Sequence, residues 1–145
     1  MRRKCFESHP WCCFCGGTVQ ATEQDHIPSR ILFDDRQWPE GYAFPACANC
    51  NRASRHDEQV VAMLSRIYPD PQTMKERVAV HERIRAVAHN FPEIMLEMRP
   101  TANQLRTAAR RYGWKLGDGV TTADLPVLSV GGPLVNAAIA NFGRK

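Results

Sequence analysis

The sequence predicts an α+β fold, in which a small finger of two short strands and a helix precedes a mainly helical region. Three observations support this prediction. Cys-x-x-Cys pairs begin at Cys12 and Cys47 and could cross-link a segment that is poor in aliphatic residues. Turn residues and short alternating runs fill the interval between the pairs. From Thr73 onward, apolar residues recur at helical spacing, with Pro and Gly at the expected ends.

The two cysteine pairs favour a bound metal over disulfides. Each Cys-x-x-Cys knuckle presents two thiolates from one tight turn, so two knuckles supply the ligands of a closed tetrahedral zinc site. Structural zinc contributes on the order of 10–16 kcal/mol of apparent folding free energy in finger peptides, which would stabilise the first third of the chain. Cys13 is an alternative to Cys12 as a ligand, and we otherwise expect Cys5 and Cys13 to be small buried side chains. The predicted zinc ligands are Cys12, Cys15, Cys47 and Cys50.

The elements of the finger follow in the order strand, loop, strand, helix. Residues 18–22 alternate as a short strand does, and Asp25-His26 is expected at or just past its end. Residues 29–33 predict a helical turn and residues 42–44 a return strand. A helix should begin near residues 49–51 and continue to Tyr68-Pro69. Its predicted apolar face consists of Val60, Val61, Leu64 and Ile67.

The second part of the chain predicts four helices. The first runs from Thr73 to Asn90, and a short one covers residues 92–98. Thr101 then caps a helix that Gly113 ends. Residues 127–130 suggest an extended segment before a final helix over residues 134–142. The predicted apolar stripe of the first of these helices is Met74, Val78, Val80, Ile84 and Val87.

We therefore divide the chain into a zinc-stabilised core, residues 1–68, and a mainly helical extension, residues 69–145, which packs on that core. The basic residues at the start of the chain are not followed by the apolar stretch of a signal peptide. No run approaches the roughly 20 apolar residues of a membrane span. We expect a soluble, cytoplasmic protein without a membrane partner, and the sequence does not predict its oligomeric state.

The net charge of +4 is unevenly distributed. Residues 1–57 carry seven Lys or Arg and seven Asp or Glu, whereas residues 58–145 carry twelve against eight. Between Arg99 and Lys115 there are five basic residues and no acidic one, so this stretch could neutralise phosphates. A solvated helix face is the alternative interpretation. The candidate nucleic-acid contacts in this stretch are Arg106 and Arg110.

Asp25, His26 and Asn51 carry the candidate chemistry. Cleaving a phosphodiester needs a base for water and a Lewis acid for the charge on the phosphoryl oxygens. His26 could serve as the base, and oxygens of Asp25 and Asn51 are hard enough to hold Mg²⁺ or Mn²⁺. The alternatives are a surface or zinc-associated His26 and an Asn51 that caps a helix. Arg55 would share a helix face with Asn51 and is the candidate phosphate contact there.

These motifs, taken together, resemble the HNH, or His-Me finger, endonucleases, in particular the zinc-binding branch that includes phage recombination endonuclease VII. Cys-x-x-Cys, Asp-His and Cys-x-x-Cys-Asn follow in that order within residues 12–51. The resemblance implies a ββα-metal core with structural zinc on the four cysteines. It also implies that His26 is the general base and that Asp25 and Asn51 bind a magnesium-like ion. The family's middle Asn has no counterpart between His26 and Cys47, where Gln37 is the nearest amide.

The leading functional prediction is a metal-dependent HNH-like endonuclease that hydrolyses DNA phosphodiester bonds, from a phage or a mobile or defence element. The alternative is a non-catalytic zinc-finger module that binds nucleic acid. A third interpretation is an interaction protein that uses the finger as a scaffold. A pure binding module has no need of Asp25, His26 and Asn51 together.

Overall fold

The computed structural model describes residues 6–35, 37–68, 70–115, 117 and 128–145. Within these ranges the structure is mixed but mainly helical, with one small two-stranded sheet, as predicted. In chain order the elements are β1 (Glu23–His26), a 3₁₀ turn (Arg30–Leu32), β2 (Ala43–Ala46), α1 (Ala48–Ala53), α2 (Arg55–Ile67), α3 (Met74–Asn90), α4 (Pro92–Glu97), α5 (Ala102–Tyr112) and α6 (Pro133–Gly143).

The hairpin of β1 and β2 begins later than the sequence predicts. The strand expected at residues 18–22 is instead β1, so Asp25 and His26 lie in the strand rather than beyond it. The reason is that the first cysteine knuckle uses the residues before β1, and Gln20 forms only an isolated bridge with Trp11. In the antiparallel register, Asp25 lies opposite Phe44 and His26 opposite Ala43.

The long helix predicted after the second knuckle is divided into α1 and α2. The division lies at Ser54, whose hydroxyl donates to the carbonyl of Asn51 at 3.3 Å. A serine side chain bonded to the preceding turn competes with the helical backbone ladder. The expected start is close, because α1 begins at Ala48. The helical turn predicted near residue 30 is also present.

The core lies between α2, α3, α4 and α6. Its fully buried side chains include Val60 and Met63 of α2 and Val87 of α3. The predicted face of α2 is right for Val60, while Leu64 and Ile67 are partly buried beside the cluster, but Met63 was missed. The complete cluster is Val60, Met63, Val87, Ile94, Met98, Val135 and Ala138.

The predicted stripe on α3 is correct only at its C-terminal end. Val87 is buried and Ile84 packs against the core, whereas Met74 and Val78 are exposed. The capping box of Thr73 and Glu76 starts this helix outside the packed region. Only the last turns of α3 therefore reach the core. The predicted boundary after residue 68 falls between α2 and α3, whose side chains share this core, and it stays a prediction.

The end signals of α5 are confirmed. The side chain of Thr101 accepts from the backbone N–H of Gln104, and the Gln104 side chain accepts in return from the Thr101 N–H. Gly113 ends the helix in the left-handed conformation at φ 68°, which glycine adopts without strain. The extended segment expected at residues 127–130 begins outside the described residues. Its remainder forms no strand, although Ser129 N donates to Met98 O at 2.7 Å.

The start of α6 is held by a carboxylate from α4. Glu97 accepts hydrogen bonds from the backbone N–H groups of Leu134 at 3.0 Å and Val135 at 2.9 Å. Negative charge at a helix N-terminus is stabilising because the first N–H groups have no partner within the helix. Gly132 makes the contact possible, because a Cβ built there would lie 2.2 Å from the Glu97 carboxyl group. The final helix agrees with its prediction to within a residue at each end.

None of the described helices has the length and apolar character needed to cross a membrane.

Gly132→Ala is expected to destabilise the protein by about 1–3 kcal/mol, the usual cost of forcing extra atoms into a filled site. The added methyl group would displace the Glu97 carboxylate from the start of α6. The matched control is Gly131→Ala, because a Cβ at Gly131 would meet nothing within 4 Å. Chemical denaturation of both variants measures the difference. Equal stability of the two variants would contradict the role of Glu97.

Candidate functional site

The first knuckle is a tight turn closed by backbone hydrogen bonds. Cys12 N donates to Val19 O, and Gly17 N donates to Cys12 O, both at 2.9 Å. Gly16 and Gly17 both have positive φ, which allows the chain to reverse directly after Cys15. The knuckle is also joined to β2, since Cys13 N donates to Pro45 O at 3.1 Å. The first two sulfurs are therefore held beside the start of the second knuckle.

The second knuckle coincides with the start of α1. Cys47 is the N-cap residue, and its sulfur accepts from the backbone N–H of Cys50 at 3.5 Å. Cys47 O accepts from Asn51 N at 3.0 Å, so the same turn fixes the backbone of Asn51. Cys47, rather than Asn51, is thus the residue that caps this helix.

The structure brings the four predicted cysteine ligands together. The sulfur atoms of Cys12, Cys15, Cys47 and Cys50 all lie within 4.8 Å of one another. Tetrahedral zinc with bonds of about 2.3 Å separates its sulfurs by roughly 3.8 Å, so the cluster could hold a structural metal ion. Cys13 is not a member of it. Its thiol is exposed and donates to Pro45 O at 3.2 Å, so the expectation that Cys13 is buried was wrong. Cys5 lies outside the described residues.

The surroundings of the four thiols shift their pKa values in different directions. Burial raises the pKa of Cys12, but the backbone hydrogen bonds that it receives outweigh this effect and lower the pKa. The pKa of Cys47 is lowered by the Cys50 backbone N–H, and that of Cys15 by the Thr18 hydroxyl. The hydrogen bond that Cys50 makes with Cys47, together with burial, raises the pKa of Cys50 to about 12. Clustered thiolates repel one another, and a divalent cation removes that repulsion.

Asp25 is a buried carboxylate that faces an ammonium group. Its exposed fraction is 5%, and its Oδ2 lies 2.5 Å from Nζ of Lys145. This contact is an ion pair, and Oδ2 receives no hydrogen bond from the part of the chain that the structure describes. The same ammonium donates to Ser54 Oγ at 2.7 Å and to Glu58 Oε1. The second oxygen of Glu58 accepts from the Ser29 hydroxyl at 2.8 Å.

Asn51 is oriented by Glu23. The Nδ2 atom of Asn51 donates to Oε2 of Glu23, two residues before Asp25 on β1. Alternate residues of a strand lie on the same face, so Glu23 and Asp25 share one face of the hairpin. Because Nδ2 is engaged by a carboxylate, Oδ1 is the atom with which the Asn51 amide can bind a cation.

The remaining predicted residues lie on other surfaces. His26 is the last residue of β1 and is partly buried, and strand alternation places it on the opposite face from Asp25. Arg55 is exposed at the first position of α2. Arg106 and Arg110 are exposed on α5, whose buried side is formed by Leu105 and Ala109.

Three residues at this site were missed by the sequence analysis. Glu23 carries a signal that was overlooked, since it lies two residues before Asp25 in a segment with strand character. Glu58 lies seven residues after Asn51, about two helical turns, and could have been placed near the same face. Lys145 offers no local signal, because only the packing of α6 against α2 brings it to Asp25.

Two cavities border these elements. One cavity, of about 550 Å³, lies between the loop at Asp34 and the start of α3, away from the cysteines. Two of its carboxylates are paired, Asp34 with Arg66 and Asp35 with Lys75, and Glu76 accepts from the backbone N–H groups of Gln72 and Thr73. A cleft of about 300 Å³ opens beside Lys145 and reaches Cys50. This smaller cleft is the one that borders the candidate site.

No family model matches the chain, and no solved structure matches it significantly. The chain is 37% identical over 101 residues to proteins named β-hexosaminidase from Bordetella pertussis, Bordetella parapertussis and Bordetella bronchiseptica. The similarity covers 66% of this chain but only 28% of each relative. The chain therefore spans less than a third of the length of these relatives.

Cys47→Ser is expected to release the metal and unfold the finger, because Cys47 is both a ligand candidate and the cap of α1. Zinc bound per chain should fall from about one to none, as measured by elemental analysis of dialysed protein. The matched control is Cys13→Ser, which removes an exposed thiol outside the cluster and should keep the zinc. A zinc-loaded, folded Cys47→Ser variant would show that the ligand set is wrong.

Proposed function

We propose that the protein is a metal-dependent HNH-like endonuclease that hydrolyses DNA phosphodiester bonds. One observation carries the proposal. Asp25 is a carboxylate that is only 5% exposed, and among the described residues its Oδ2 has the Lys145 ammonium as an ion-pair partner but receives no hydrogen bond. A buried carboxylate needs a cationic partner; in this structure that partner is the Lys145 ammonium, and a metal ion could take its place. His26 follows it in sequence, and Asn51 is joined to the same strand through Glu23.

The residues present fit two metals of different character. The sulfurs of the two knuckles suit Zn²⁺, whereas the oxygens of Asp25 and Asn51 suit Mg²⁺ or Mn²⁺. The first metal would be structural, and the second would be catalytic. When bound, the second metal supplies positive charge that stabilises the phosphoryl oxygens as the bond breaks. Asp25 fits a metal because, among the described residues, its Oδ2 receives no hydrogen bond. The four sulfurs fit zinc because they all lie within 4.8 Å of one another.

His26 is the proposed general base. A neutral imidazole can accept the proton of the attacking water near neutral pH. Neighbouring side chains at the end of β1 point to opposite sides, so Asp25 would face the metal while His26 faces the attacking water. Glu23 positions the amide of Asn51 through its hydrogen bond. Arg55, exposed at the start of α2, would bind a phosphate of the DNA. These roles together make the finger a ββα-metal centre.

A non-catalytic nucleic-acid-binding module is the second candidate, and a feature of α5 favours it. Tyr112 and Trp114 stack with their ring centroids 5.4 Å apart, and Arg111 lies over the Tyr112 ring. Exposed aromatic rings beside basic residues suit nucleic-acid strands, which offer both bases and phosphates. In the endonuclease, the same surface would hold the DNA rather than cleave it.

The similarity to β-hexosaminidases does not replace this proposal, because it covers only 28% of those proteins. A chromogenic hexosaminide added to the purified protein tests the point directly. We expect no turnover of that substrate.

The free thiols of the cluster suit a reducing compartment, so we propose that the protein acts in the cytoplasm. We also propose that it belongs to a phage or to a mobile or defence element.

His26→Ala should lower the rate of plasmid cleavage by about 10²–10⁴-fold, the usual contribution of a general base. The measurement is nicking of supercoiled DNA by zinc-loaded protein with Mg²⁺ or Mn²⁺, and with a chelator as the no-metal reference. Circular dichroism and zinc content establish that the variant is folded. His81→Ala, a change to an exposed histidine on α3, is the matched control and should cleave as the wild type does. Wild-type activity in His26→Ala would exclude His26 as the base.

Arg106→Ala with Arg110→Ala should weaken DNA binding and flatten its dependence on salt. Each phosphate contact that is lost reduces the slope of log K against log salt by about one. The matched control is Arg77→Ala with Arg85→Ala, which removes the same charge from exposed positions on α3. Fluorescence anisotropy across a salt series measures both slopes. Identical slopes for the two double variants would make the basic side of α5 an ordinary solvated face.

A further inference from the structure

The ammonium of Lys145 lies among oxygen atoms from β1, from α2 and from the residue between α1 and α2. Asp25 Oδ2 is 2.5 Å away, Ser54 Oγ is 2.7 Å away, and Glu58 Oε1 accepts a hydrogen bond from it. The Lys145 and Glu58 side chains are each 12% exposed and that of Asp25 is 6% exposed. An ammonium so far removed from water is held there by its negative partners.

The charges around this ammonium do not balance. Asp25 and Glu58 bring two negative charges, and Lys145 brings one positive charge. A divalent cation at the same place would neutralise both carboxylates. It would also bind Oδ2 of Asp25, which the ammonium approaches without making a hydrogen bond. Carboxylate and hydroxyl oxygens are the ligands that hard divalent cations prefer.

Glu58 is held in a direction that suits such a cation. Its Oε2 accepts from the Ser29 hydroxyl at 2.8 Å, which leaves Oε1 for the Lys145 ammonium. Ser54 lies at the junction of α1 and α2, one turn before Glu58. The oxygens of Asp25, Ser54 and Glu58 thus come from the finger and the start of α2. The competing positive charge comes from Lys145, after the end of α6.

We propose that Asp25, Ser54 and Glu58 form a divalent-cation site in which the ammonium of Lys145 is the competing cation. The proposal rests on the proposed function only in taking Asp25 as a metal ligand; it adds Glu58 and Ser54 to the ligands and gives Lys145 a role. A divalent cation that binds here expels Lys145. The cleft of about 300 Å³ that Lys145 borders, lined also by Phe14, Asp57 and Arg144, gives the displaced side chain room.

Acylation of lysines in zinc-loaded wild-type protein tests the competition without any substitution. An amine-reactive ester labels accessible amino groups, and mass spectrometry reads each site separately. Lys75, 80% exposed, is the internal control. Lys145 should react slowly without Mn²⁺ and about tenfold faster with it. A tenfold change is of the size usually found when the binding of one ligand affects the binding of another. Lys75 should react equally fast in both conditions. A Lys145 rate that Mn²⁺ leaves unchanged would overturn the proposal.

The affinity for Mn²⁺, followed by electron paramagnetic resonance, tests the ligands. Lys145→Met should tighten binding about tenfold and Glu58→Gln should weaken it about tenfold, because coupling between two ligands is reciprocal. Arg144→Met is the control for Lys145→Met, since Arg144 is exposed next to it, and it should bind as the wild type does. If Lys145→Met fails to fold, the affinity of Glu58→Gln for Mn²⁺ and the acylation of wild-type protein still test the proposed cation site. Unchanged affinity in Glu58→Gln excludes Glu58 as a ligand.

These measurements separate the cation site from the nuclease. Mn²⁺ that exposes Lys145 in a protein that cleaves no DNA would support the site and contradict the proposed function. Cleavage that depends on His26, with Lys145 acylated at the same rate at every Mn²⁺ concentration, would support the nuclease and contradict the site.

Discussion

The sulfur cluster is the constraint on which the rest of the finger depends. The hairpin of β1 and β2 has only four residues in each strand, and a pair of short strands is marginal by itself. Its few buried side chains, such as Ala21 and Ala46, are small. A metal ion held by the four sulfurs would join the turn before β1 to the helix after β2 and so fix both ends of the hairpin. The positions of Asp25 and Asn51 follow from that closure.

The helical part of the protein is stabilised in a different way. Its core consists of aliphatic and methionine side chains from α2, α3, α4 and α6, which need no metal. Helix α2 belongs to both parts, because Val60 and Met63 enter this core while Glu58 faces the candidate site. The end of α6 returns to the same place through Lys145. Packing in the core therefore sets the distance between the groups of the site.

Local rules predicted what depends on neighbouring residues. The knuckles, the capping box at Thr101 and the left-handed Gly113 are each specified within about five residues, and the structure contains all three. The four cysteines that the structure brings together could be chosen from their spacing. The strand was misplaced because periodicity does not show that the knuckle uses residues 12–19 for its own turn. The nuclease assignment and the roles of His26 and Asn51 remain predictions.

Contacts between distant residues could not be predicted in this way. The meeting of Lys145 with Asp25 joins positions 120 residues apart and depends on how α6 packs on α2. The core contains Met63 rather than the predicted Val61, because the elements that pack against a helix decide which of its faces is buried. The break at Ser54 also divided the expected helix. The contact of Glu97 with the start of α6 needs the missing side chain of Gly132, which no helical pattern reveals.

Cys47 joins two roles that are usually separate, since one sulfur is both a ligand candidate and the cap of α1. An oxidant that joined Cys47 to Cys50 would remove two ligands and the cap in a single step. The first turn of α1 carries Asn51, so its amide would lose its fixed backbone at the same time. The redox state of Cys47 and Cys50 would thus affect the position of Asn51 through the first turn of α1.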